Sequence, residues 1–408
     1  MQKKFHKMNK KKIALFIDTE KKTGGAYQEA IYTAQNITKK ENNKFEFIII
    51  SLSKNINHSI KEIKILNLKL NLFQKLVCYL RTNIFFFQKI INKFFFKNYF
   101  ESFLKENKID FIYFLNSSQY TQYLESMNFI INIPDLAHRK NVEFPEVRNS
   151  SEFEIRERIY KNFLPKAYSV ITNSETIKYD LIKYYNLDED RVKIIRHQPS
   201  QHVINFKYSE VDEEKVKKKY NLPNKYIFYP AQYWPHKNHV YILDAIEKLN
   251  YDLNLDFYAI FCGSDKGNLK HLKDYSIEKK ISDKTIFLNF VDDEDLPYLY
   301  KLSKLLVMPS YFGPTNIPPL EAFQLKVPVI YSDIPTFKKE FGDAVYYVDL
   351  NNSNSLAKAI KKIYENKELR EELIKNGLDK IEQIKLYNSE EILFELFDNY
   401  FKVELRWK

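Results

Sequence analysis

Short, nearly continuous apolar runs recur along the chain, each followed by a turn and then by apolar residues at helical spacing. The first is IALFID, from Ile13 to Asp18. After Thr23-Gly24-Gly25, residues Ala26, Tyr27, Ala30, Ile31, Ala34 and Ile37 repeat with the period of a helix. Runs of this kind predict strands buried on both faces of a parallel sheet. Strand, glycine turn and helix together predict the opening of a Rossmann-like unit. Further strands are expected at Phe45–Ile50, Asp110–Leu115, Asn128–Ile133 and Tyr168–Asn173, with helical stretches between several of them. That alternation predicts a layered α/β fold.

A polar stretch after Pro199, SEVDEEKVKKKYNLPN, reads as a linker with an introductory helix, and a second alternating series follows it. Its strands are expected at Tyr226–Ala231, Phe257–Cys262, Thr285–Phe290, Leu305–Ser310 and Val327–Ser332, with helices between them and helical segments from about Ser353 onward. The chain of 408 residues is about twice the size of a usual single domain, which agrees with two parallel-sheet domains. The expected division is 1–204 for the first domain and 205–385 for the second, with 386–408 a terminal helix returning to the first. The segment IFFFQKIINKFFFKNYF has a wide apolar arc with Lys89, Lys93 and Lys97 on one polar face. It suits either a helix buried in the first domain or a basic-aromatic helix (residues 84–100) resting on an anionic membrane surface.

Composition narrows the partners only a little. The formal charge of +11 suits anionic ligands such as nucleotide diphosphates, nucleic acid or an anionic membrane face, and does not choose among them. The cysteines, Cys78 and Cys262, are far apart and form no CxxC pair, which argues against a disulfide scaffold or a thiolate zinc site and for a reducing compartment. The basic start MQKKFHKMNKKK is followed by a strand pattern instead of a signal-peptide core, and no apolar run is long enough for a transmembrane helix. The expected location is cytoplasmic, with peripheral contact at the inner face of the plasma membrane through residues 84–100 if that segment is amphipathic.

Several segments carry candidate chemistry. Pro318 and Pro319 suit the first turn of a helix that Asn316 could cap, and free N–H groups at such a helix start attract phosphate. Glu321 nearby could accept hydrogen bonds from a diol, or merely favour the helix dipole. Lys237 follows a strand and an irregular turn, from which an ammonium can reach a phosphate. Gly24-Gly25 lets backbone approach a ligand closely, or simply makes a tight turn. Alone, Lys237 could be solvated and His138 could be structural. The acidic run Asp292-Asp293-Glu294-Asp295 reads as a helix start better than as a cation cage.

Taken together, the segments resemble the retaining GT-B glycosyltransferases of family 4 (group 1), and within them a subgroup with a DLxHR motif. The resemblance rests on Pro134-Asp135-Leu136-Ala137-His138-Arg139, Glu143–Arg148, Val170–Glu175 and Pro230–His239. It continues through Cys262–Asn268, Phe290–Leu296, Phe312-Gly313-Pro314-Thr315-Asn316-Ile317-Pro318-Pro319-Leu320-Glu321-Ala322 and Ser332–Pro335. It is dense in the second half and absent over about residues 55–125. It implies a GT-B fold, two Rossmann-like domains facing a cleft, with the C-terminal helix crossing back to the first domain. It also implies a hexosyltransferase (EC 2.4) that moves a sugar, with retention, from a nucleotide-diphospho-sugar to a glycan or lipid-linked acceptor in bacterial surface polysaccharide or lipopolysaccharide synthesis.

By the same resemblance, His138 contacts the transferred sugar and Lys237 neutralises the donor diphosphate. Gly24, Gly25, Gln232, Gly263, Val291, Thr315, Asn316, Ile317 and Glu321 bind the donor, Glu321 at the ribose. No metal or other cofactor is expected, and no nucleic-acid partner. Two departures stand out: Gly313 replaces the first of the family's paired glutamates, and Gln232 replaces an arginine at the diphosphate site. They prompt an alternative, a catalytically weak nucleotide-sugar-binding partner of another glycosyltransferase. An NAD-dependent enzyme is disfavoured because no GxGxxG fingerprint is present.

Overall fold

The structure, a computed structural model, describes residues 10–19, 25–40, 42–53, 63–83, 97–313 and 317–407. Its contacts divide the chain into two compact units. The first comprises residues up to Leu136, Ser151–Ile195 and Asn388–Lys408; the second comprises Ala137–Ser150 and Arg196–Tyr387. The passage from the first unit to the second thus lies at Ile195–Arg196, ahead of the position 204/205 read from the sequence. The polar helix Glu210–Tyr220, capped by Ser209, is part of the second unit.

In the first unit, the strands β1 (Lys11–Ile17), β2 (Phe45–Ser51), β3 (Ile65–Asn67), β4 (Phe111–Phe114), β5 (Phe129–Asn132), β6 (Ser169–Thr172) and β7 (Val192–Ile194) form a parallel sheet. Its order is β3-β2-β1-β4-β5-β6-β7, so the order reverses between β1 and β4. Both faces are covered, which is why the strands read as unbroken apolar runs. On one face Ile13, Leu15 and Ile17 pack with Tyr27, Ala30, Ala34 and Ile37 of helix Gly25–Lys39. On the other, Ala14 and Phe16 pack with Phe100, Leu104, Ile159 and Tyr160.

The C-terminal helix Ser389–Glu404 belongs to this first unit and covers its sheet. Phe397 is fully buried against the rings of Phe45, Phe47 and Phe111. The Lys11 ammonium donates to the buried Glu404 carboxylate at 2.8 Å, and Asn128 donates to the Tyr400 hydroxyl at 3.1 Å. On an adjacent stretch, buried Glu101 accepts from the backbone N–H groups of Glu125 (2.7 Å), Ser126 (2.6 Å) and Met127 (2.9 Å), which fixes the turn ahead of β5.

The second unit repeats the architecture with β8 (Tyr226–Pro230), β9 (Tyr258–Cys262), β10 (Thr285–Leu288), β11 (Leu305–Met308), β12 (Val329–Ser332) and β13 (Tyr346–Val348). The strands are parallel in the order β10-β9-β8-β11-β12-β13, and the reversal falls between β8 and β11. Arg196, the first residue after the crossing, pairs with Glu340 at 2.6 Å and lies 5.6 Å over the ring of Tyr387, the last residue before the chain leaves this unit.

Of the segment proposed to rest on a membrane, residues 84–96 lie outside the described part. Among the described residues no helix is long and apolar enough to cross a membrane.

Candidate functional site

In an open parallel sheet, ligands bind beyond the carboxyl ends of the strands where the strand order reverses. In the second unit that point lies between β8 and β11, so the loops after these strands are the first place to look. The loop after β8 carries Gln232 and Lys237. The loop after β11 leads into helix Ile317–Gln324.

These two loops are bonded to each other. Tyr311 N donates to the His236 carbonyl at 2.9 Å, and the His236 ring stacks on Phe312 at 3.9 Å with an interplanar angle of 13°. Beneath them the buried Tyr229 hydroxyl donates to the Lys237 carbonyl at 3.0 Å and lies 2.9 Å from Ser310 Oγ. Lys237 ends a short 3₁₀ turn, Pro235–Lys237, and Asn238 then takes the left-handed conformation (φ 55°) before helix His239–Tyr251 begins. Asparagine tolerates this region better than most residues. The turn thus fixes where the Lys237 backbone lies.

The neighbouring loops crowd the same edge. Gly263, directly after β9, donates its N–H to the Asn289 carbonyl at 2.8 Å, and a Cβ built on it would lie 2.5 Å from the Ala231 carbonyl oxygen. Only glycine lets the β8 and β9 ends approach this closely. Gln232 accepts from the Trp234 indole N–H at 2.9 Å, and Val291 is buried in the loop after β10. Two carboxylates of the acidic run beside Val291 share one cation, with Lys219 reaching both Asp292 and Asp295 at 2.6 Å. Helix Leu296–Leu302 follows at once.

Glu321 was read in a first turn, open to a diol. It is instead the fifth residue of helix Ile317–Gln324 and is buried at 5% exposure. The Tyr300 hydroxyl donates to its Oε2 at 2.6 Å. Burial raises the Glu321 carboxyl above its ordinary value, and the Tyr300 hydrogen bond works in the opposite direction. Ile317 opens the described helix; Thr315 and Asn316 lie outside the described residues.

His138 is fully buried in the one-turn helix Ala137–Lys140, which belongs to the second unit together with Lys237 and Glu321. Gly25 begins helix Gly25–Lys39 of the first unit, at the carboxyl end of β1, and Gly24 lies outside the described residues.

Two features escaped the sequence reading. Glu146 accepts from the His236 backbone N–H at 3.0 Å and pairs with His236 Nδ1. Burial opposes the Glu146 charge, but the His236 hydrogen bonds hold its carboxyl below the ordinary value. Phe144 adds ring contacts with Tyr311 and Phe312 at 5.2 and 5.5 Å. The segment after His138 is thereby pinned to the residue preceding Lys237. The second feature is His239, packed among the rings of Tyr229, Tyr233 and Phe261 at 4.9–5.3 Å. Glu146 meets a partner 90 residues away, for which no local signal exists, and the rings around His239 come together only when the ends of β8 and β9 pack side by side.

Residues 210–380, which include the loops after β8, β9, β10 and β11, match a known family. That family is described as glycosyl transferases, group 1. The chain is 30% identical over 214 residues to the O-antigen chain mannosyltransferase RfbU of Salmonella typhimurium, covering 51% of this chain and 55% of that protein. It thus spans about half the length of that relative. Solved structures extend the likeness to nearly the whole chain. WaaG, a glycosyltransferase involved in lipopolysaccharide biosynthesis, superposes with a TM-score of 0.69 at 14% identity over 93% of this chain and 98% of that one. The Anabaena protein Alr3699/HepE, solved with UDP and glucose, gives 0.70 at 16% identity over 95% of this chain and 100% of that one. The fold is therefore the GT-B fold, built from two parallel-sheet Rossmann-like domains.

Proposed function

We propose that this protein is a glycosyltransferase (EC 2.4) that transfers a sugar, with retention at the anomeric carbon, from a nucleotide-diphospho-sugar to a glycan or lipid-linked acceptor in bacterial surface polysaccharide or lipopolysaccharide synthesis. One observation carries the reading. The Lys237 turn and the loop entering helix Ile317–Gln324 are hydrogen-bonded together at the strand-order reversal of a parallel sheet, inside the segment that matches group 1 glycosyltransferases. An ammonium and a helix start at one place stabilise the negative charge that develops on a departing diphosphate. His138 lies at the transferred sugar in this reading, and Gln232, Gly263, Val291 and Glu321 shape the donor pocket. No step needs a bound metal. The relatives support a glycan acceptor, and they make mannosyl and glucosyl donors the first to try.

The test is transfer of a radiolabelled sugar from UDP-, GDP-, ADP- and CMP-linked donors to lipid-linked oligosaccharide extracts, with the product anomer read by NMR. The reading expects transfer with one nucleotide class and an anomer that matches the donor. Lys237→Ala should lower the rate about 100-fold or more, in line with losing one charge-stabilising group. Gly313 and Gln232 favour a second reading, a nucleotide-sugar binder that assists another transferase. Donor binding without transfer to any extract would select it.

A further inference from the structure

Burying a carboxylate costs free energy unless partners satisfy it, and Glu146 in the 3₁₀ turn Pro145–Val147 is only half satisfied. Its side chain keeps 6% exposure. Oε1 serves the His236 backbone N–H and the His236 ring together, while Oε2 is buried without a hydrogen-bond partner among the described residues. Such a pair is a weak source of stability, since apolar side chains of similar size would fill the same space at less cost. Docking of the segment has other supports as well. Phe144 packs on Tyr311 and Phe312, and Val147 is buried. What the carboxylate adds is a fixed position for His236.

A group that grips both the backbone N–H and the ring of one residue sets that residue's backbone and rotamer at once. The other groups of the turn are held too. The His236 carbonyl accepts from Tyr311 N at 2.9 Å, and the His236 ring stacks on Phe312. Lys237 N donates to the Trp234 carbonyl at 3.1 Å, and the Lys237 carbonyl accepts from the Tyr229 hydroxyl at 3.0 Å. Glu146 contributes the charged hold, and hydrogen bonds to charged groups are the stronger kind. Its position in the chain is 90 residues from His236, so the turn before Lys237 takes its final shape only when the Ala137–Ser150 segment is in place.

Resting on the glycosyltransferase reading above, we infer that Glu146 is a positioning residue for the donor diphosphate: through His236 it sets the place of Lys237, without touching the donor itself. Displacing a binding group by about 1 Å is enough to lose most of its effect. Affinity for the phosphates therefore depends on the Glu146–His236 pair. Affinity for the nucleoside does not, because Gly263, Val291 and Glu321, which shape the donor pocket in that reading, stand on other segments.

The experiment uses the full chain, with UDP-, GDP-, ADP- and CMP-sugars titrated by calorimetry and the matching nucleosides by saturation-transfer NMR. Glu146→Gln keeps the side-chain shape and removes the charge; His236→Phe keeps a ring against Phe312 and removes the partner. Each should weaken the nucleotide-sugar that binds by about tenfold, the scale of one hydrogen bond to a charged group, and leave its nucleoside within about twofold. The double variant should be no weaker than either single one by more than about twofold, because the two residues act as one unit. It strands no buried charge, so it carries the test where a single variant lacks a cooperative melt. Folded variants that bind the nucleotide-sugar as the natural chain does, losses that add in the double variant, or a nucleoside lost in equal measure overturn the inference. Lys237→Ala measured alongside separates the two ideas. If the natural chain binds a nucleotide-sugar and Lys237→Ala weakens it while the Glu146 variants do not, only the inference falls. If the natural chain binds none, or Lys237→Ala changes nothing, the donor site of the glycosyltransferase reading falls with it.

Discussion

At Gly263 an added methyl would lie 2.5 Å from the Ala231 carbonyl oxygen and 2.7 Å from the Gln232 Cα, both backbone atoms that cannot step aside alone. Gly263→Ala must therefore move the start of the loop that carries Lys237. Such overpacking costs about 1–3 kcal/mol, which urea denaturation would read. Nucleotide-sugar affinity should fall alongside stability, whereas a binding site elsewhere would leave affinity unchanged. His239 makes a different prediction. Burial, and after it the nearby Lys237 charge, lowers its pKa from 6.5 to about 3, so the folded protein keeps this imidazole neutral. The unfolded chain takes up a proton near the ordinary value while the native chain does not. The stability that His239 supports is thus complete above about pH 6.5 and is lost progressively as pH falls from there toward 3. His239→Phe keeps a ring among Tyr229, Tyr233 and Phe261 and removes this proton uptake. Denaturation midpoints should then fall less steeply between pH 6.5 and 4 in the variant than in the natural chain.

The helix Ser389–Glu404 shows how an element far along the chain completes a core formed by the first strands. Phe397 fills a site bounded by Phe45, Phe47 and Phe111, and truncating a fully buried phenylalanine costs about 3–5 kcal/mol. Phe397→Ala should lower the stability of the first unit by that amount in denaturant titration, while the second unit melts as before. Strands were legible in the sequence because both faces of each parallel sheet are covered. Ile13, Leu15 and Ile17 pack to one side, Ala14 and Phe16 to the other, and the run therefore has no polar gaps. The short edge strands β3, β7 and β13 left no such mark. Each has three residues, too few for a pattern, and each gains its place by pairing with a longer neighbour.

At the scale of the whole chain, two parallel sheets were readable from the alternation of apolar runs and helical spacing. The assignment of Ala137–Ser150 to the second unit was not. It depends on Glu146 meeting His236 and Phe144 meeting Phe312, pairs some 90 or more residues apart that no local periodicity encodes. The site was legible in part for the same reason. Gly263 and Lys237 sit in short loops directly after predicted strands, so their position followed from topology, while the burial of Glu321 under Tyr300 did not. Arg196 lies where the chain passes into the second unit, paired with Glu340 and stacked over Tyr387. Removing one partner of a largely buried ion pair strands the other, at a cost of about 3 kcal/mol. Arg196→Ala should show that loss by calorimetry. The central claim is that the loops after β8 and β11 hold a nucleotide-diphospho-sugar, and a thermal-shift titration of the full chain with UDP-, GDP-, ADP- and CMP-sugars tests it most directly. The account predicts that one nucleotide class raises the melting temperature by about 2 °C or more at saturating ligand, and that Lys237→Ala abolishes the rise. A stable protein that no nucleotide-sugar shifts, or a shift that Lys237→Ala leaves intact, would contradict it.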